Sequence, residues 1–227
     1  MNTVLLTMLV LSFGTDGNHQ NSIPAEYTEI YQQAVYNCHR ARAERINTEI
    51  VRDLIIIESE FFETHNIDSE LRGMLLIAAC NESGFNTRAR GDWRTNSRGR
   101  RVSKAHGILQ LWPWWENSYN IDRDNYKEAA RAWMSHIVML KQKNDDRRRC
   151  PSSFSEKRKW IAAWVQTTRG RTNAENRFRC FQTPSHYRHL QRWQQEIRKL
   201  KGEFECQVEI EYRGRKLTSF PCEPTSV

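Results

Sequence analysis

Six stretches of the chain place apolar residues three and four apart, the spacing of one face of an α-helix. Tyr27, Ile30, Tyr31, Ala34, Val35 and Cys38 predict a helix from Ala25 to about Ala43. Ile50, Leu54, Ile57 and Phe61 predict a second from about Thr48 to His65. Leu71, Met74, Leu75, Ala78 and Ala79 predict a third, with Asp68 as its cap and Gly84 at its end, where glycine readily turns the chain. Tyr126, Ala130, Trp133, Ile137 and Leu140 predict a fourth, running into the charged stretch Asn144 to Arg149. Ser153 and Glu156 read as a capping box for a fifth that carries Trp160, Ile161, Trp164 and Val165, with Gly170 just beyond its end. Thr183 and Pro184 read as the cap and first residue of a sixth, with Tyr187, Leu190, Trp193, Ile197 and Leu200 inward and Gly202 as its stop. The period then changes to two at Phe204, Cys206, Val208, Ile210 and Tyr212. A turn at Arg213-Gly214 and the later Leu217 and Phe220 complete a small hairpin. The expected fold class is mainly α, a helical core over about residues 25–201 with a C-terminal β-hairpin appendage. No internal repeat or low-complexity segment interrupts it.

One residue breaks the apolar logic of the third helix. The positions 71, 75, 78 and 82 share a face, and the last of them is Glu82. A solvated glutamate belongs on the opposite face. A carboxylate at the buried end of a helix can hold a raised pKa, as a general acid working near neutral pH requires. The plainer reading is a glutamate that caps a turn or pairs with a nearby arginine. A loop rich in Arg, Gly, Ser and Asn follows, and then Gly107-Ile108-Leu109-Gln110-Leu111-Trp112-Pro113-Trp114-Trp115. Clustered tryptophans usually build core. Three in four residues around a proline cannot all point inward, so one is expected at the surface, with Trp112 the candidate. An exposed indole face suits stacking on a sugar ring.

Composition narrows the class. The chain has 227 residues and a net charge of +8. Such an excess suits an anionic partner: nucleic acid, lipid head groups or cell-wall polymer. No zinc-finger, helix-turn-helix or RNA-binding signature accompanies the basic residues, so no specific nucleic-acid partner is expected. The six cysteines, Cys38, Cys80, Cys150, Cys180, Cys206 and Cys222, form no C-x-x-C pair, so neither a metal nor a cofactor is expected. An even count favours disulfides, read here as Cys150 with Cys180 and Cys206 with Cys222, each closing a local segment. The apolar run at residues 4–13 is too short to span a bilayer and fits the core of an export signal over residues 1–18, although no Lys or Arg precedes it; a buried first helix is the other reading. Export to the periplasm or beyond is expected, with no transmembrane segment apart from that signal.

Glu82-Ser83-Gly84-Phe85-Asn86, a loop, and then Gly107-Ile108-Leu109-Gln110 with a nearby proline resembles the soluble lytic transglycosylase domain, which is related to goose-type lysozyme. The resemblance covers roughly Asp68 to Leu200. It implies a lysozyme-like helical fold with a catalytic domain over residues 68–201. The N-terminal helices over 19–67, expected to pack on that domain, and the hairpin tail over 202–227 have no counterpart in the resemblance. It implies that Glu82 is the single catalytic acid/base, cleaving the bond between N-acetylmuramic acid and N-acetylglucosamine in peptidoglycan to give a 1,6-anhydromuramoyl product. It also implies that Ser83 and Gln110 hold the substrate, that the backbone at Gly107 lets a sugar approach, and that Tyr187 is the late tyrosine at the floor of the groove. Ala162-Ala163-Trp164-Val165 lies where the family usually shows Ala-Tyr-Asn-Ala-Gly. Trp164 thus stands in place of a tyrosine in the substrate groove, and that motif's hydroxyl is missing.

Three other readings stay open on the sequence. An inverting hydrolase needs a second carboxylate roughly 6.5–9.5 Å from the first to activate water. Asp92, in Gly91-Asp92-Trp93, is the acid between the two motifs, unless it pairs with an arginine neighbour. A noncatalytic glycan-binding or scaffolding protein would keep the groove without the chemistry. A nucleic-acid binder would use the basic loop and the tryptophans.

Overall fold

The structure is a computed structural model. It describes residues 31–32, 34–38, 46–146, 150–169, 180, 183–184, 186–200, 208–212 and 215–219. The apolar run at 4–13, the start of the first predicted helix, Gly170, Gly202, Phe204, Phe220 and the expected Cys206–Cys222 pair lie outside these residues.

The described chain is mainly helical. Residues 31–32 and 34–36 are helical, and Tyr31, Ala34, Val35 and Cys38 are buried, the face that the pattern predicts. Helix α1 is Thr48–His65. Asn47 Oδ1 accepts from the Glu49 N–H at its start, and Asn66 ends it in the left-handed conformation. A 3-10 turn, Ser69–Leu71, leads into α2, Met74–Ser83. Helices α3 (Trp114–Tyr119), α4 (Tyr126–Asp146), α5 (Glu156–Arg169) and α6 (Tyr187–Leu200) follow.

Helix α2 is the centre. Every residue from Met74 to Asn81 is buried, so this helix is apolar all round, as a core helix is. The shared face of 71, 75, 78 and 82 therefore does not decide where Glu82 points. Helix α1 packs against α2 and α4, α4 packs along α5, and α6 lies against α2. The disulfide Cys38–Cys80 ties the first helical segment to α2, a pairing that the local-closure argument did not reach. Cys150–Cys180 closes the segment around α5 as expected.

Three helix starts differ from the sequence reading, because other groups take the open N–H. Asp68 accepts from Glu70 N and so caps the 3-10 turn rather than α2. Ser155, not Ser153, caps α5, its Oγ accepting from Arg158 N at 3.2 Å. Glu156 then pairs with Lys141 and Lys159 instead of closing a box. Helix α6 begins at Tyr187, whose N–H donates to Pro184 O, so Thr183 and Pro184 form the turn ahead of it.

The stretch between the two motifs is not plain loop. It folds out and back as β1 (Arg90–Gly91), β2 (Arg94–Thr95), β3 (Arg101–Val102) and β4 (Ala105–His106). β1 pairs with β4 and β2 with β3, both antiparallel, so the core region is not purely helical. Near the C-terminus β5 (Val208–Tyr212) pairs antiparallel with β6 (Arg215–Ser219), in the register Val208 with Ser219 through Tyr212 with Arg215. The appendage is thus the expected hairpin. Among the described residues no helix is long and apolar enough to cross a membrane.

Candidate active site

Glu82 stands in the last turn of α2. Gly84 ends the helix at φ 62°, with its N–H on Cys80 O, and Phe85 N–H reaches back to Ala79 O at 3.3 Å. These two bonds close the helix end in the glycine-terminated manner. The side chain of Glu82 emerges there 36% exposed, where the buried body of the helix gives way to surface. His186, just before α6, brings its Nε2 to 3.8 Å from Glu82 Oε1. Helix α6 then runs back along α2: Leu190 packs near Gly73, and Gln194 Nε2 donates to Glu70 O. Tyr187, next to His186, is half-buried against the core.

The second motif docks on Ser83, the residue after Glu82. Ser83 Oγ donates to Ile108 O at 2.8 Å, so it holds the Gln110 turn against α2 rather than standing free. The turn is tight. Gln110 has φ 49°, its side-chain Nε2 donates to Gly107 O at 2.9 Å, and His106 and Leu111 exchange both backbone bonds. Gly107 has φ +74°, and a Cβ there would lie 2.2 Å from Arg123 O. The glycine makes room for a neighbouring carbonyl, which supplies a packing reason for it independent of any sugar. Arg123 is buried. Its Nη1 is 2.8 Å from both Lys104 O and Leu111 O, and its Nε is 2.8 Å from Glu116 Oε1, so one guanidinium straps both ends of the turn to α3.

The β1–β4 ladder continues this surface. A Cβ on Gly91 would meet Gln110 Oε1 at 2.3 Å, so the glycine lets the strand lie against that amide. Asp92 comes next, at φ 47°, and its Oδ2 accepts from Trp112 Nε1 at 2.8 Å. The expected arginine partner for Asp92 is therefore an indole; among the described residues no arginine forms an ion pair with it. Trp112 is 41% exposed, Trp114 is half-buried and Trp115 is buried, stacked on Trp114 and Tyr119, which bears out the expectation of one outward indole.

Trp164 corrects the sequence reading. It is fully buried in α5, and its Nε1 is buried without a hydrogen-bond partner among the described residues. It fills core between helices and cannot meet a polymer at the surface. Contacts thus join Ser83, next to Glu82, to the Gln110 turn, and that turn to the strand that leads into Asp92 and its partner Trp112, while Tyr187 follows the His186 that meets Glu82. Gly107 is buried against Arg123 O, and it and Trp164 stand apart from this surface.

The sequence reading also passed over three residues. His186 carries no local signal. Arg123 reads as a surface cation. Glu58 carries the signal used for Glu82, since it lies on the buried stripe Val51, Leu54, Ile55 and Phe62. Its carboxylate is 4% exposed and accepts from Gly73 N at 2.7 Å and Leu75 N at 2.8 Å. Helix α2 has no side-chain cap of its own at Gly73, and Glu58 serves as one from the neighbouring helix. Burial pushes its carboxyl up to about 7, although the two N–H donors and the Arg72 charge favour the ionised form.

Among the described residues no group of three or more His, Cys, Asp or Glu is arranged to hold a metal ion. No protein-family model, curated protein or solved structure matches the chain.

Proposed function

We propose that the protein is a peptidoglycan-cleaving lytic transglycosylase of lysozyme-like fold, exported, with Glu82 as its one acid/base. The observation that carries the reading is the junction of the two motifs. The only part of α2 to leave the core is the end that bears Glu82, and Ser83 fastens the Gln110 turn against that end. An acid projecting where a buried helix meets a tightly strapped polar turn can protonate a glycosidic oxygen of a bound strand. The O4 of N-acetylglucosamine leaves with that proton. The C6 hydroxyl of N-acetylmuramic acid closes on C1, and its proton returns to Glu82, giving the 1,6-anhydro product without water. Trp112, held by Asp92, offers an indole face for a sugar ring, and the Gln110 amide flanks the strand. The described disulfides suit an oxidising compartment and support export.

The engagement of Asp92 with Trp112 supports the transglycosylase over a hydrolase, because it gives that carboxylate a positioning duty. The test separates these readings and the noncatalytic one. Glu82→Gln keeps the shape and cannot donate a proton, so lysis of purified sacculi should fall by about 10²–10⁴-fold with the melting temperature unchanged. Asp92→Asn should keep most activity, and mass spectrometry should find anhydro ends. Reducing ends together with a comparable loss in Asp92→Asn would establish the hydrolase. Undiminished lysis by a folded Glu82→Gln protein would refute the assignment of Glu82.

A further inference from the structure

The excursion between the motifs carries most of the molecule's net charge. Seven of the seventeen residues from Arg88 to Lys104 are Arg or Lys and one, Asp92, is acidic, a net +6 against +8 for the whole chain. Arg88, Arg94, Arg98, Arg100 and Arg101 are exposed and Lys104 is half-buried. Arg90 is paired with Asp124, and Asp92 is occupied by Trp112. Among the described residues, none of the other hairpin cations has a carboxylate within ion-pair distance. Like charges crowded this way repel one another, so the cluster favours an anionic occupant.

The cluster is also ordered. Asn96 Oδ1 accepts from both Arg98 N and Arg100 N at 3.0 Å, and Gly99 turns the tip at φ +70°. Arg101 lies over the ring of Trp93, 5.5 Å from its centroid, and Trp93 is half exposed. The base of the hairpin is keyed to the site through Gly91 against Gln110 and Asp92 on Trp112. Six of the seven cations are arginines, whose planar fork matches a carboxylate at two points where lysine offers one.

We infer that this hairpin is a docking surface for the acidic peptide stems of peptidoglycan, reading their carboxylates while the glycan strand lies at Glu82. The inference rests on the proposed function and adds its substrate form: peptide-bearing polymer rather than bare glycan. Carboxylates recurring along the same polymer would engage the tip and the Trp93 edge in succession, and prior ordering of the tip lowers the entropic cost of holding them.

The test uses the full chain carrying Glu82→Gln, so that binding is read without cleavage. Sacculi freed of attached phosphate polymers are compared with the same sacculi whose carboxylates are converted to methylamides. Adding Arg98→Gln, Arg100→Gln and Arg101→Gln should weaken pelleting on unmodified sacculi by about tenfold and flatten its salt dependence. The two proteins should bind the methylamide form equally. Equal loss on both forms, no loss on either, or arginine-dependent binding that needs the phosphate polymers would overturn the inference. So would arginine-dependent binding to duplex DNA that is tighter than binding to sacculi. Circular dichroism of the triple variant should match its parent. The unsubstituted chain, scored for released muropeptides, reports on the proposed function separately: arginine-dependent carboxylate binding without release would leave this surface standing and remove the enzyme.

Discussion

Replacing Glu58 by glutamine should change how stability responds to pH. The carboxyl is buried between α1 and the start of α2, and its value rises from an ordinary 4.5 to about 7. For an acid, a raised folded-state pKa means that the folded protein binds the proton more tightly than the unfolded chain does. The stabilisation is then complete below pH 4.5 and is lost as pH rises through 7. A rise of about 2.5 units at 1.36 kcal/mol each makes the swing about 3 kcal/mol. Glutamine does not titrate. It also turns an amide NH₂ toward one of the backbone donors, Gly73 N or Leu75 N, which costs about 1–3 kcal/mol for a buried unsatisfied group. A protonated carboxyl keeps lone pairs on both oxygens and avoids that conflict. Glu58→Gln should therefore be clearly less stable than the parent at pH 5, and the gap should close or reverse by pH 8. Urea unfolding of both proteins at pH 5, 6, 7 and 8, disulfides intact and ionic strength fixed, measures it. Groups that titrate alike in both proteins cancel in the difference. A gap that stays constant or widens with pH would show that Glu58 is ionised throughout and would refute the reasoning.

Gly107→Ala should destabilise by at least about 3 kcal/mol, because the position combines a left-handed backbone with a Cβ 2.2 Å from Arg123 O; a loss below about 1 kcal/mol in urea unfolding would contradict the packing described. His186→Gln should lower the lytic rate more than it lowers the melting temperature, since its Nε2 lies 3.8 Å from Glu82 Oε1. A drop in melting temperature with the rate per folded molecule unchanged would assign His186 a packing role alone.

Much of the scaffold was legible from residues a turn apart. The span Thr48–His65 and the stop at Gly84 follow from apolar spacing and terminal residues, which act within one or two helical turns. The C-terminal hairpin was legible for the same reason. The Cys150–Cys180 closure, 30 residues apart, was legible from the even cysteine count and the shorter loop it closes. An outward Trp112 followed from the crowding of indoles around Pro113. The ladders of the Arg-rich excursion were not legible, because strands of two residues are too short to show a period. Nor was the fate of Trp164, since an apolar residue on a helix fits a core or a groove equally well until neighbouring helices cover it. Asp92 had several arginines nearby in sequence, and backbone turns carried it to the Trp112 indole instead. The burial of Glu58 could be read from its stripe, but its partners are open N–H groups fifteen and seventeen residues away on another helix. Periodicity and caps report on groups joined by a few bonds, and so the sequence alone determines the long helices, the terminal hairpin and the candidate acid. Which donor meets which acceptor depends on how those elements pack, and so only the tertiary structure decided that Ser83 fastens the Gln110 turn, that His186 faces Glu82, and that Glu58 holds the helix that presents it.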